Sequence, residues 1–296
     1  MVTDNASSET TSWDLIRKEE KKEDILCTGC TVHACNLLFK DVIQKHKWSN
    51  DIVEKCNALV TFLRSHNWIL SSIREKAKLT VTYHCSTRFA GNYYTMHRLK
   101  RLKGTIRTVL TSDEYEDKNF KGGDKFFELV VNNEFWLSVG NLLAFLKPLK
   151  RIIRKLDSDR HMSEHVFPLM GGLMTTWNDA ENFASNVPPR FRTHAVRELA
   201  ERWDWLEFDI HRAAYCLSPY YHKDDVSSNR ELNASVNEVI LAYTSQIDST
   251  LSQCTADFSR FKEHPTSTGI FPVRAHSLHS SSAMTSYAWW KLHGSM

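Results

Sequence analysis

The chain has 296 residues, with 38 Lys and Arg against 35 Asp and Glu, a net charge of +3 at neutral pH. Hydrophobic residues at 42%, charged residues at 25% and 9 Trp are the composition of a globular protein, which excludes a disordered, collagen-like or low-complexity chain. The charge balance is too even to imply nucleic-acid binding by itself, so any such case must rest on local charge.

No run approaches the roughly 18 apolar residues of a membrane span, so no membrane partner is expected. The first residues lack the basic-then-apolar order of a secretory signal. The 7 cysteines, at positions 27, 30, 35, 56, 85, 216 and 254, are an odd number in a long chain, which suits a reducing compartment better than a disulfide framework.

In chain order, Val2-Thr3 is a candidate strand. Residues 12–24 are expected to form a charged helix with Ser12 as N-cap. Ile25-Leu26-Cys27 is a short apolar run suited to a strand, and Val32, Cys35, Leu37, Leu38 and Val42 follow at helical spacing. A long helix is predicted over 50–78, where Ile52, Val53, Cys56, Leu59, Val60, Leu63, Trp68, Leu70 and Ile73 form one stripe. Residues 79–94, rich in Thr, Tyr and Val, suit a strand or extended loop. From Tyr93 to Thr111 the pattern is helical again, with Met96, Leu99, Leu102, Ile106, Val109 and Leu110 at helical spacing. The polar stretch 112–125, ending in Gly122-Gly123, is expected to be a loop.

The strongest predicted helix is 133–156, with Pro148 expected to kink or end it. Helices are expected over 163–186, 190–215 and 235–261, with a loop at 218–230 and a linker at 264–286. Gly171-Gly172 falls inside one of them, where packing or a kink would account for it.

Several groups of residues carry chemistry. Cys27, Cys30, His33 and Cys35 are four soft ligands within nine residues, yet structural zinc joins two ligand pairs across an intervening fold. The only other pair is His84-Cys85, so buried cysteines and an ordinary histidine are the preferred reading, and no metal is assigned. Asp4-Asn5 reads either as a metal-binding carboxylate after a strand or as a turn. His97, Arg98, Lys100, Arg101, Lys103 and Arg107 lie together with no acid until Asp113, as a phosphate-contacting face or a solvated helix face would. A second basic group, Lys147, Lys150, Arg151, Arg154 and Lys155, is expected on the opposite side of the apolar stripe, diluted by Asp157 and Asp159. No dinucleotide, P-loop, nucleophile-elbow or zincin pattern is present.

Taken in order, these pieces resemble the hAT superfamily of DNA transposases, particularly its plant members. Thr3-Asp4-Asn5-Ala6-Ser7 is similar to the family's T-D-N-A-S-N segment, with Ser8 in place of the second Asn. Cys30-Thr31-Val32-His33-Ala34-Cys35-Asn36-Leu37 is similar to its C-x-x-H-x-x-N-L segment, and Thr87-Arg88-Phe89 to its T-R-W/F segment. Phe135-Trp136 through Pro148-Leu149, the run from Asp209 to Pro219, and Ala288-Trp289-Trp290-Lys291-Leu292-His293-Gly294 resemble later family segments, the last opening the dimerisation region.

The resemblance implies a mostly α fold: a remnant of an RNase H-like α/β core with one to three short strands in 1–48, a large helical insertion in 49–262, and a linker and truncated dimerisation region in 263–296. Asp4 aligns with the second of three metal-holding carboxylates. The first and third are expected to lie outside the chain, which makes Asp4 vestigial. One carboxylate cannot position two metals, so catalysis and a cofactor are not expected, and Mg²⁺ belongs to an intact relative.

The resemblance also gives Cys30, His33, Arg88 and Phe89 as DNA contacts, to which the basic segment adds Arg98, Lys100, Arg101, Lys103 and Arg107. The expected function is a catalytically incomplete, transposase-derived nuclear protein that retains weak DNA binding. The alternative is a helical interaction module, pairing with itself or with full-length relatives, or a fragment of a longer transposase-like protein. An active nuclease would need substitute carboxylates such as Glu9 or Asp41. Nuclear placement follows from the resemblance, since no basic import run is evident.

Overall fold

A computed structural model gives the structure of the protein and describes residues 2–4, 11–13, 15–16, 27–82, 90–158, 162–179, 181, 183, 187–206, 209–221, 228–244 and 248–263. The fold is mostly α. Strands β1 (Val2–Thr3) and β2 (Thr28–Gly29) pair in parallel, Val2 with Thr28 and Thr3 with Gly29. The helices are α1 (Thr31–Gln44), α2 (Lys47–Ser65), α3 (Asn67–Ala77), α4 (Gly91–Leu110), α5 (Asp113–Lys118) and α6 (Gly123–Val131), then α7 (Asn133–Leu156), α8 (Ser163–Asn178), α9 (Pro189–Leu206), α10 (Asp209–Cys216), α11 (Arg230–Thr244) and α12 (Asp248–Glu263). Among the described residues no single helix is long and apolar enough to cross a membrane.

Several expected elements are corrected. The second strand begins at Thr28, just after the apolar run; Ile25 and Leu26 lie outside the described residues. Parallel neighbours need a crossover rather than a hairpin, and helical residues 11–13 and 15–16 lie within it. Thr11 is already helical, so Ser12 is not the N-cap. The predicted helix 50–78 is two helices, because His66 takes an extended conformation (φ −118°, ψ 105°) between α2 and α3. Its Nδ1 lies 2.9 Å from the Phe62 carbonyl and 3.0 Å from Ser65 Oγ, a local side-chain bond that competes with helix continuation.

No strand occupies 79–82 or 90–94; these are coil, a turn and the start of α4, and 83–89 lie outside the described residues. The expected loop 112–125 contains α5 and the start of α6. Ser112 Oγ accepts from the Tyr115 N–H, and Asp113, Glu114 and Glu116 place negative charge at the helix start.

Pro148 lies inside α7 without ending it. An interior proline costs about 3 kcal/mol, but Phe145, Leu146, Leu149, Ile152 and Ile153 are all buried around it. At roughly 1.5–3 kcal/mol for each large apolar side chain, burial outweighs the lost bond. Gly171 and Gly172 are exposed in α8, and a Cβ on either would meet no described atom within 4 Å, so close packing does not account for them.

The chain divides into two compact units. One takes Cys35–Lys155 and Leu173–Arg202, the other Met1–Ala34, Leu156–Gly172 and Trp203–Met296. The core of the first includes Phe145 stacked on Trp177 at 4.9 Å, with Phe191 at 5.0 Å from Phe145; Trp177 Nε1 donates to the Phe145 carbonyl. The other has a cluster of Ala213, Cys216, Leu232, Val236 and Phe258, with Phe167 and Tyr215 packed on it.

Candidate nucleic-acid interface

The basic face is built on α4. Its apolar positions Met96, Leu99, Leu102, Ile106 and Val109 are all buried, so the helix presents the same face to the core throughout. The intervening basic residues divide between two flanks. On one flank, Arg107 reaches the start of α7: Nε donates to the Val130 carbonyl at 2.9 Å, and Nη2 donates to the Val131 carbonyl at 3.1 Å and to Asn133 Oδ1 at 2.8 Å. One turn back, Lys103 Nζ lies 5.8 Å from the Trp136 ring centroid. A further turn back, Lys100 Nζ lies 2.8 Å from where a Cβ on Gly140 would stand. Finally Lys150 Nζ lies 5.9 Å and 5.3 Å from the ring centroids of Tyr93 and Tyr94. These contacts advance along α7 as they retreat along α4, so the two helices run antiparallel.

This geometry brings members of the two basic groups together. Lys150 and Arg151 of α7 come to the same end of α4 as His97, Arg98, Lys100 and Arg101. The consequence is visible in the titrating groups. Burial lowers the His97 pKa, and Arg101, Lys150, Lys100 and Arg98 each lower it further. The Tyr93 hydroxyl is raised by burial and by Tyr94, while Arg151 opposes the shift. Lys103 is lowered by burial first, then by Arg107 and Lys100. Neither helix contributes a carboxylate here: α4 has none, and α7 carries Glu134 alone, near its start.

The rings complete the surface. Tyr93 stacks on His97 with centroids 6.1 Å apart and planes 11° apart. Tyr93 is buried and His97 exposed, so the cations around them, rather than the stack itself, are the groups open to a phosphate backbone. Sequence reasoning named Lys150 and Arg151 as a second basic group without joining them to α4, and it passed over Tyr93 and Tyr94 as site residues. The available signal was their position at the edge of the α7 stripe and in the first turn of α4.

The other expected site residues lie at the amino end. Asp4 follows β1 and Cys30 follows β2, so both stand at the carboxyl ends of parallel strands, where such sheets place ligands. The Cys30 N–H donates to the Thr3 carbonyl at 2.8 Å. His33 Nδ1 lies 3.9 Å from Asp4 Oδ1, and the Asp4 side chain is 72% exposed. Cys27 and Cys35 are buried. Among the described residues no three His, Cys, Asp or Glu side chains come together to hold a metal ion.

Asp41, weighed as a substitute carboxylate, is engaged by Arg202 and by Lys45 at 3.5 Å. Lys45 also bonds the buried Glu198 at 2.7 Å. Arg88, Phe89, Glu9 and the His84-Cys85 pair lie outside the described residues, as do the Trp289-Trp290 residues of the last family-like segment. A scan against protein-family models finds no match for this chain, and neither does a search of the curated proteins.

Proposed function

We propose that this protein is a DNA-binding relative of hAT-type transposases that does not catalyse strand transfer by itself, with α4 and the second half of α7 as its DNA-contacting face. The observation that carries the reading is the convergence of Arg98, Lys100 and Arg101 with Lys150 and Arg151 around the Tyr93 and His97 rings. A cationic face to which neither helix adds a carboxylate attracts a phosphate backbone by releasing its counterions. The parallel pair β1–β2, with Asp4 and Cys30 at its carboxyl ends, supports descent from an RNase H-like core. In this reading Asp4 is a vestigial carboxylate, no metal or other cofactor is used, and the protein acts in the nucleus.

The test is fluorescence anisotropy of the full chain with duplex DNA across a salt series. Affinity is expected to fall steeply with salt, and an Arg98→Ala, Lys100→Ala, Arg101→Ala and Arg151→Ala variant is expected to lose most of that dependence. A folded sample that binds no DNA at low salt removes the proposal. A second reading, a helical protein-interaction module, is favoured by the exposed apolar side chains Phe127, Val131 and Leu137 on α6 and α7. Concentration-dependent self-association by light scattering, with no DNA binding, would select it.

A further inference from the structure

A pocket lies away from the basic face, where the end of α4 meets α5 and α6. Its volume is about 350 Å³, within the range that holds a small ligand. Three aromatic rings line it, those of Tyr115, Phe120 and Phe127, together with the carboxylates of Glu116 and Asp124 and the bare backbone of Gly123. No Lys or Arg lines it. Two of the nearby lysines lie over other rings: Lys118 over the Trp68 ring at 5.4 Å and Lys125 over the Phe126 ring at 6.0 Å. Neither of those rings belongs to the pocket.

Tyr115 supplies the second observation. Its side chain is 8% exposed, and its hydroxyl has no hydrogen-bond partner among the described residues. Tyr115 and Gly123 both line the pocket, and a Cβ on Gly123 would lie 2.5 Å from Oη. Gly123 therefore leaves the room that the hydroxyl occupies. A buried hydroxyl without a partner calls for a physical account, and a group bound beside it is one. Burial, and then the Asp124 carboxylate, raise the Tyr115 pKa, so the oxygen stays protonated and neutral beside the pocket.

We propose that this pocket binds an alkylammonium group, either free or carried on a lysine-type side chain. The faces of aromatic rings attract a cation through their quadrupoles. Tyr115 and Phe120 stand with centroids 5.3 Å apart and planes tilted by 38°, so they form two walls rather than one stack. Phe127, at 38% exposure, supplies a ring open to solvent at the edge. Glu116 and Asp124 are exposed and add two negative charges with no compensating cation in the lining. A neutral apolar ligand would use the rings but gain nothing from the carboxylates. An anion would be repelled by them.

The test is saturation-transfer NMR and titration calorimetry on the full chain with three probes: choline, its neutral tert-butyl isostere, and N-acetyl-trimethyllysine methylamide. Choline is expected to bind saturably, and the isostere to bind about tenfold more weakly, the scale of a desolvated cation–π contact. A Glu116→Gln, Asp124→Asn double variant changes only exposed side chains and is expected to weaken choline about tenfold by removing the carboxylate attraction. Phe127→Ala is expected to weaken it as well, with circular dichroism unchanged. Tighter binding of the trimethyllysine probe assigns the group to a protein side chain, and tighter binding of choline to a free amine. The proposal fails if the folded chain shows no saturable choline binding at millimolar concentration. It also fails if the isostere binds equally, or if both variants bind as the parent does.

Discussion

Arg107 sits among basic neighbours on α4, yet its guanidinium holds the last carbonyls of α6 and the side chain of Asn133. The end of any helix leaves carbonyls unpaired, and a charged donor satisfies them more strongly than a neutral one. Arg107→Ala is expected to cost about 1.5–3 kcal/mol in urea unfolding, while leaving the salt dependence of DNA binding nearly unchanged. A large loss of that dependence would place Arg107 in the interface instead. His211 shows burial acting on a single proton. Burial pushes its pKa down to about 4 from 6.5, against a raising hydrogen bond with the Leu206 backbone. Because the folded form resists the proton that the unfolded chain takes up, stability is full above pH 6.5 and is lost as pH falls towards 4. Between pH 7 and 5 the loss from this group is about 2 kcal/mol. A His211→Gln variant is expected to show that much less pH dependence over the window, whatever its starting stability; equal slopes in the two proteins would refute the assignment.

The elements follow from local chemistry where the apolar spacing is long and regular. The periodicity of 133–156 predicts α7 to the residue, and the spacing around Met96 and Leu102 predicts α4 to within two residues at each end. Elements were illegible where a few polar residues decided. His66 divides a continuous apolar stripe with one ring nitrogen, and Ser112 with three acids starts a helix inside what reads as a loop. Asn132 works in the same way. Its Oδ1 accepts from the Glu134 N–H at 2.8 Å and the Phe135 N–H at 3.3 Å, so it caps the first turn of α7. Asn132→Ala is expected to lower stability by about 1 kcal/mol, measurable as a shift in the urea midpoint, whereas Asn132→Asp should be nearly neutral. If the alanine variant matched the parent, the cap would contribute nothing.

At the scale of the whole molecule, the two compact units are interleaved along the chain, each drawing on more than one segment. Under the proposed function, the quadruple variant removes up to four phosphate contacts, so the slope of log K against log salt is expected to fall by about 3–4. A drop near zero would move the DNA contact away from α4. What the sequence determined by itself is the helical class, the amphipathic stripes and the residue types on each helix, because these depend on neighbours three or four positions apart. It also held both basic groups and the Asp4, Cys30 and His33 types in plain view. Which groups meet was decided only by tertiary structure. Lys150 reaches Tyr93 and Tyr94 because α7 packs antiparallel to α4. The Tyr115 pocket exists because α5 and α6 fold back against the end of α4. Contacts of that kind depend on how apolar faces pack against one another, and a face records that it must be buried without recording against what.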